Sequence, residues 1–214
     1  METLNVGYET SLNEYVKQER TAVQLINSIG ELMFNKGIEL VLFRNHLVDI
    51  SISELIHLFN YAENVVQKPI KIEEVNELVN ELKDLDLAPS KIDIGKLTHE
   101  FKAQKNENPS ISNFLNIQLI NLLGHDKHQF APQDVVLYGF GRIGRIAARE
   151  LIKQAGKGQQ LRLRAIVLRE VDEFQIEKRA ALLRNDSVHG SFNGSIIEDY
   201  ESNALIINGQ RVQL

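Results

Sequence analysis

Three glycines at fixed intervals behind a short apolar run constrain this chain more than any other feature. The run is Val135-Val136-Leu137-Tyr138, and Gly139-Phe140-Gly141-Arg142-Ile143-Gly144-Arg145 follows it. Val135, Val136 and Leu137 are apolar and β-prone, which predicts a buried strand. The glycines then fit G-x-G-x-x-G. Gly139 permits a tight turn, Gly141 lets a pyrophosphate approach the backbone, and Gly144 lets the next helix pack close to the strand. Free N–H groups and the positive end of the helix dipole would hold the phosphates.

A glycine turn alone says little, and the context supplies the rest. Ile146, Ala147, Ala148, Leu151 and Ile152 continue at helical spacing, and Gly156 and Gly158 end that helix. Leu161, Leu163, Ala165, Ile166, Val167 and Leu168 read as a second strand, first alternating and then continuously apolar. An acid, Glu170, stands at its end. This is the pattern of a βαβ unit with a right-handed crossover. The competing reading is a structural turn that holds no ligand.

Composition narrows the function classes. The 214 residues suffice for one large domain or two small ones. Hydrophobic residues make up 43% and charged residues 25%, which marks the chain as globular. The net charge of −5 offers no footprint for nucleic acid or an anionic membrane. No apolar run is long enough to span a bilayer. Met1-Glu2-Thr3-Leu4-Asn5 has neither the basic start nor the apolar core of a secretory signal, so a cytoplasmic location is expected. There is no cysteine, which removes disulfides, thiolate metal sites and any cysteine nucleophile within these residues.

The first part of the chain reads as helices. Apolar residues recur at mostly helical spacing between Thr10 and Asn35, and Gly37 ends or interrupts that helix. Ile38 to Phe43 suits helix or strand by propensity, and its helical neighbours tilt it towards helix. Ser51-Ile52-Ser53-Glu54 is a capping box that should start a helix, closed by Pro69. Ile72, Val75, Leu78, Val79 and Leu82 mark another helix, and Asp93 is placed to cap one through Leu97 and Phe101. Asn108-Pro109 reads as an N-cap and first helical position, and Gly124 as the stop of that last helix. His125 to Gln133 is polar and contains a proline, so the domain boundary is set at 131/132. His125 and His128 have no third ligand nearby and suit a solvated linker, while His46, His57 and His99 are scattered singly. Glu73, Glu74, Glu77 and Glu81 suit a solvated helix face.

Beyond the βαβ unit lie a helix and then antiparallel strands, with Asn208-Gly209 as a strong hairpin signal. Asp186-Ser187-Val188-His189-Gly190, then Phe192-Asn193-Gly194, and Ala204-Leu205-Ile206-Ile207-Asn208-Gly209 follow the glycine motif in order. Together with Gly139–Arg145 these segments resemble glyceraldehyde-3-phosphate dehydrogenase, over Asp134 to Leu214. The helical part resembles the N-terminal extension of a longer bacterial branch of that family.

The resemblance implies an α plus α/β architecture: a helical domain over 1–131, then the first part of a Rossmann-type NAD(P)-binding domain over 132–214. It implies NAD or NADP as cofactor, held by Gly139, Phe140, Gly141, Arg142, Ile143 and Gly144. The family places an acid at the end of the second strand to hold the adenine ribose, where this chain has Arg169-Glu170. Glu170 would favour NAD by accepting from the 2′-OH, and Arg169 would favour NADP by attracting its 2′-phosphate. The stretch between glycines and acid is longer than the roughly 20 residues of a compact unit. In the family's reaction a cysteine thiolate attacks glyceraldehyde 3-phosphate, the hemithioacetal gives hydride to the nicotinamide, phosphate releases the acyl group, and a histidine moves protons. The family's catalytic cysteine lies in a downstream S-C-T-T-N motif that these residues do not reach. The chain therefore reads as an N-terminal fragment, inactive alone, of a glycolytic enzyme that is a homo-oligomer when complete and acts on a small phosphorylated aldehyde. His189 belongs to the Asp186–Gly190 segment and is assigned a structural role. Ala204 to Leu214 is expected to leave an exposed sheet edge. The rival to the enzyme reading is a non-catalytic dinucleotide-binding regulatory module whose helices recruit a partner.

Overall fold

In the computed structural model of the chain, residues 2–104, 110–124, 132–154 and 161–214 are described. The chain divides into two compact units, Met1–Gln129 and Phe130–Leu214, each built on its own apolar cluster.

The first unit begins with a long helix, α1 (Glu2–Glu31), which starts well before Thr10. Its C-terminal half buries Ala22, Leu25 and Ile29, the three- and four-residue spacing of one helix face. Its last turn widens over Leu32–Lys36 and stops at Gly37. Gly37 sits at φ +68°, its N–H donates to the Met33 carbonyl, and the Ile38 N–H reaches the Leu32 carbonyl.

Ile38–Phe43 is not helical, contrary to the expectation. It contains strand β1 (Glu39–Leu42), with Leu40, Val41 and Leu42 all buried. The chain reverses through Phe43 and Arg44, at φ 46° and 72°, into β2 (Asn45–His46). The Asp93 carboxylate accepts from both turn amides. Asp93 ends β3 (Lys91–Asp93), which pairs parallel with β1. A partner strand and a carboxylate distant in sequence overrode the local tilt towards helix.

α2 (Ile52–Asn64) starts on the expected capping box: the Ser51 hydroxyl accepts the Glu54 N–H, and the Glu54 carboxylate accepts the Ser51 N–H. It ends at Asn64, short of Pro69. α3 (Ile72–Asp84) buries Ile72, Val75, Leu78, Val79 and Leu82 as expected. Asp93 caps α4 (Ile94–Gln104) by accepting the Lys96 N–H. α5 (Ile111–Gln118) is capped by Ser110, whose hydroxyl accepts the Asn113 N–H. Asn108 and Pro109 lie outside the described residues, as do His125 and His128. α5 stops at Gln118 rather than Gly124, and the chain beyond it pairs with Leu87 through Leu123.

In the second unit β4 (Gln133–Tyr138), α6 (Arg142–Gln154) and β5 (Leu161–Val167) form the expected βαβ arrangement, with β4 and β5 parallel. Gly156 and Gly158 lie outside the described residues. α7 (Glu173–Arg184) leads into a short ribbon of β6 (Asn185–Asp186) and β7 (Gly190–Ser191). β8 (Ile196–Asp199), β9 (Ala204–Ile207) and β10 (Gln210–Gln213) complete a five-stranded sheet of order β4-β5-β10-β9-β8. The β9–β10 loop is Asn208-Gly209 at φ 47° and 78°, and two positive φ values are what a two-residue type I′ hairpin requires.

Two expectations need correction here. β10 is an inner strand, parallel to β5 and antiparallel to β9, so Ala204–Leu214 is no open edge. The strands at the edges of this sheet are β4 and β8. β4 is also not buried. α6 and α7 cover one sheet face, where Ala148, Ile152, Ile176, Ala180 and Leu183 share a cluster with Leu163, Ile166, Leu205, Ile207 and Val212. On the other face Val136 pairs with Ala165 and Tyr138 with Val167, and Val136, Tyr138 and Val167 are exposed.

Candidate dinucleotide site

The site forms where β4 and β5 end. The Gly139 N–H donates to the Val167 carbonyl at 3.0 Å. The glycine loop and the segment after β5 therefore leave the sheet side by side. Open α/β sheets bind ligands at this end, beyond the carboxyl ends of their parallel strands.

The three glycines have different reasons to be there. Gly139 sits at φ +91°, a region that disfavours any side chain. A Cβ on Gly144 would lie 2.5 Å from the Gly139 carbonyl oxygen, so α6 could not approach the loop. Gly141 has neither constraint: its φ is ordinary, and a Cβ there would meet nothing within 4 Å. The fold itself does not require glycine at 141, and the open space beside it is where a pyrophosphate would come.

The Arg145 N–H donates to the Gly141 carbonyl at 3.0 Å, which makes Gly141 the entry residue of α6. The N–H groups of Arg142, Ile143 and Gly144 therefore lack carbonyls one turn earlier. The first turn contains no acid but holds Arg142 and Arg145. Arg145 is met by the Asp186 carboxylate, and Arg142 adds positive charge at the positive end of the helix, where an anion is favoured. Phe140 is 2% exposed and ties the loop into the core, whereas Ile143 projects outward at 85% exposure.

Two arginines on α6 fasten this end of the helix to the 183–190 turn. Arg145 Nη1 donates to the Phe140 carbonyl at 3.4 Å, and its Nη2 lies 3.5 Å from Asp186 Oδ2. Asp186 Oδ1 accepts the N–H groups of Val188 and His189, both at 3.0 Å. The His189 and Val188 amides hold the Asp186 carboxyl down to about 2; burial opposes this, and the charges of Arg142 and Arg145 add to it. One turn further, Arg149 donates to the carbonyls of Leu183 and Gly190, with its guanidinium 5.8 Å from the Phe192 ring centre. His189 thus contributes its backbone, and its ring is exposed. Sequence reasoning grouped Asp186–Gly190 by resemblance and missed its bond to Arg145. The available signal was a pair of arginines four residues apart on the helix that follows the glycines.

Arg169 and Glu170 follow β5 directly, at the same end of the sheet as the loop, and both are exposed. Gly194 serves the fold: a Cβ there would collide with the Asn208 side-chain amide, whose Oδ1 accepts the Ser195 N–H at 2.8 Å. Among the described residues no cluster of His, Asp or Glu could hold a metal ion, and no helix is long and apolar enough to cross a membrane.

A parallel βαβ start and a glycine loop leading into a helix N-terminus mark a Rossmann-type nucleotide-binding unit, of which α6 and α7 supply the helical layer on one face. The comparisons agree. The family model described as glyceraldehyde 3-phosphate dehydrogenase, NAD binding domain, matches residues 133–214. A glyceraldehyde-3-phosphate dehydrogenase-like protein of Pseudomonas aeruginosa (strain UCBPP-PA14) is 37% identical over 193 residues, 89% of this chain and 42% of that protein. The glyceraldehyde-3-phosphate dehydrogenase of Colletotrichum gloeosporioides is 42% identical over 84 residues, 39% of this chain and 22% of that protein. That of Bacteroides fragilis (strain YCH46) is 38% identical over 80 residues, 37% of this chain and 22% of that protein. The chain is a glyceraldehyde-3-phosphate dehydrogenase-like protein whose residues 133–214 match that family's NAD-binding domain. It spans less than half the length of these relatives. The Pseudomonas match is too long to fit within the second unit, so it includes much of the helical unit as well.

Proposed function

We propose that residues 132–214 bind NAD with its pyrophosphate over Gly139, Phe140, Gly141, Arg142, Ile143 and Gly144 and its adenine ribose beside Arg169 and Glu170. The observation that carries this reading is Gly141, a glycine that neither backbone strain nor packing explains. The amides of Arg142, Ile143 and Gly144 bind the phosphates, Gly141 keeps the approach clear, and Ile143 offers an apolar surface to the ligand. Bound NAD supplies a hydride acceptor. Glu170 accepts from the ribose 2′-OH, and Arg169 gives NADP a weaker second claim on the site.

The wider reading is an NAD(P)-dependent, phosphorylating oxidation of glyceraldehyde 3-phosphate in glycolysis, by a cytoplasmic homo-oligomer to which these residues contribute the nucleotide-binding part. The 214 residues contain no cysteine, so they offer no thiolate for that reaction and are inactive by themselves. A second reading, which the same glycine loop supports, is a dinucleotide-binding regulatory module whose helical unit recruits a partner. Calorimetric titration of the chain with NAD tests the binding claim. Saturable binding that Gly141→Val abolishes supports it; no binding, or binding indifferent to Gly141→Val, sinks it.

A further inference from the structure

The bond between Asp186 and Arg145 joins two segments 41 residues apart, and it is dry: the two side chains are 3% and 12% exposed. A pair so shielded from water is screened far less than a surface pair. Asp186 is itself immobilised, because its Oδ1 already accepts two amides of its own turn and β6–β7 pairing fixes its backbone against Gly190. Oδ2 is left to face Arg145. Arg145 in turn reaches the Phe140 carbonyl, which lies between the first two glycines of the loop. The chain of contacts thus runs from a rigid turn, through one guanidinium, to the backbone that would receive a pyrophosphate.

We propose that Asp186 is a positioning residue for the glycine loop, acting through Arg145 to hold the Phe140 carbonyl and so pre-set residues 139–144 for the dinucleotide. The inference rests on the NAD-binding reading of that loop. Positioning and charge alone make opposite predictions. Asp186 is a negative charge close to a site for an anion, so neutralising it would by charge alone tighten NAD binding. If it positions the loop, neutralising it weakens binding, because misplaced donors lose much of their value to the ligand. A purely structural role lowers the melting temperature and leaves the affinity of the folded chain unchanged, since only the folded fraction enters the apparent affinity.

The experiment is an NAD titration of the chain and its Asp186→Asn, Arg145→Met and doubly substituted forms, with melting temperatures recorded beside it. Asp186→Asn keeps an acceptor for the Val188 and His189 amides and removes the charge that faces Arg145. Each single substitution is expected to raise the Kd for NAD about tenfold, and the double substitution no further, because the two residues act as one unit. Unchanged or tighter binding by Asp186→Asn overturns the proposal, and so do losses that multiply in the double form. If Asp186→Asn does not fold, Arg145→Lys decides, because it keeps the charge and loses the planar fork that bridges Asp186 and the Phe140 carbonyl: weaker NAD binding by a folded chain supports the proposal, and unchanged binding overturns it. Failure of the unsubstituted chain to bind NAD instead overturns the proposed function, and this inference with it.

Discussion

Strands β1 and β4 are similarly apolar in sequence and differ in what surrounds them. β1 lies between β2 and β3, and Leu40, Val41 and Leu42 are all buried. β4 has one neighbour, β5, and none of its six residues is fully buried. Tyr138 is 93% exposed. The run that its helical neighbours tilted towards helix is the buried strand, and the run that read as a buried strand is the half-covered one. Local hydropathy tells which residues can be buried; the elements packed on both faces decide which are. The first unit has enclosed β1, while the second has covered one face of its sheet with α6 and α7.

Substitutions in the two strands test this contrast most severely. Leu40→Ala should cost about 2–5 kcal/mol, the usual cost of emptying a packed site. Val136→Ala on the exposed face of β4 should cost less than about 0.5 kcal/mol. Chemical denaturation of both variants is the check. Equal losses would mean that β4 is covered in solution and that the contrast fails.

The next effects separate the glycines. Gly144→Ala drives a Cβ into the Gly139 carbonyl and should destabilise the second unit by about 1–3 kcal/mol, with NAD binding lost as well. Gly141→Ala should cost no more than about 1 kcal/mol, the loss of a favourable helix-entry residue, while NAD affinity falls at least about tenfold. Melting curves and titrations on the same preparations distinguish the two patterns. A large stability loss at Gly141 would mean that the fold, not a ligand, demands glycine there.

The smallest effect is a pH dependence confined to the second unit. The Asp186 carboxyl is held at about 2, below the ordinary value of 3.8. A depressed carboxylate contributes stability that is fully present above its unfolded value and is lost as pH falls through its folded one. The contribution of Asp186 should therefore persist at pH 5 and fade between about pH 4 and pH 2. Asp186→Asn should flatten that part of the stability profile of the second unit. A profile identical in shape to that of the unsubstituted chain would contradict the assignment.

What could be read from the sequence was mostly local. The capping box at Ser51–Glu54, the Asn208-Gly209 hairpin and the stop at Gly37 are set within a few residues, and all three stand in the structure. The glycine loop was legible for the same reason. Features that depend on distant partners were not. β1 is a strand because β3 and the Asp93 carboxylate meet it, and β10 lies inside the sheet because the hairpin folds back beside β5. The Asp186–Arg145 bond has no local pattern at all, and the roles of Arg169 and Glu170 depend on a ligand that neither side chain reveals.

The central claim is that the second unit holds NAD at the loop between β4 and α6. Backbone amide chemical shifts of the isotopically labelled chain, followed during an NAD titration, test it most directly. The account predicts saturable shifts, largest at Gly141, Arg142, Ile143 and Gly144 and smaller at Arg169 and Glu170, with the amides of the first unit unmoved. Shifts absent from the glycine loop, or concentrated in the first unit, would contradict it.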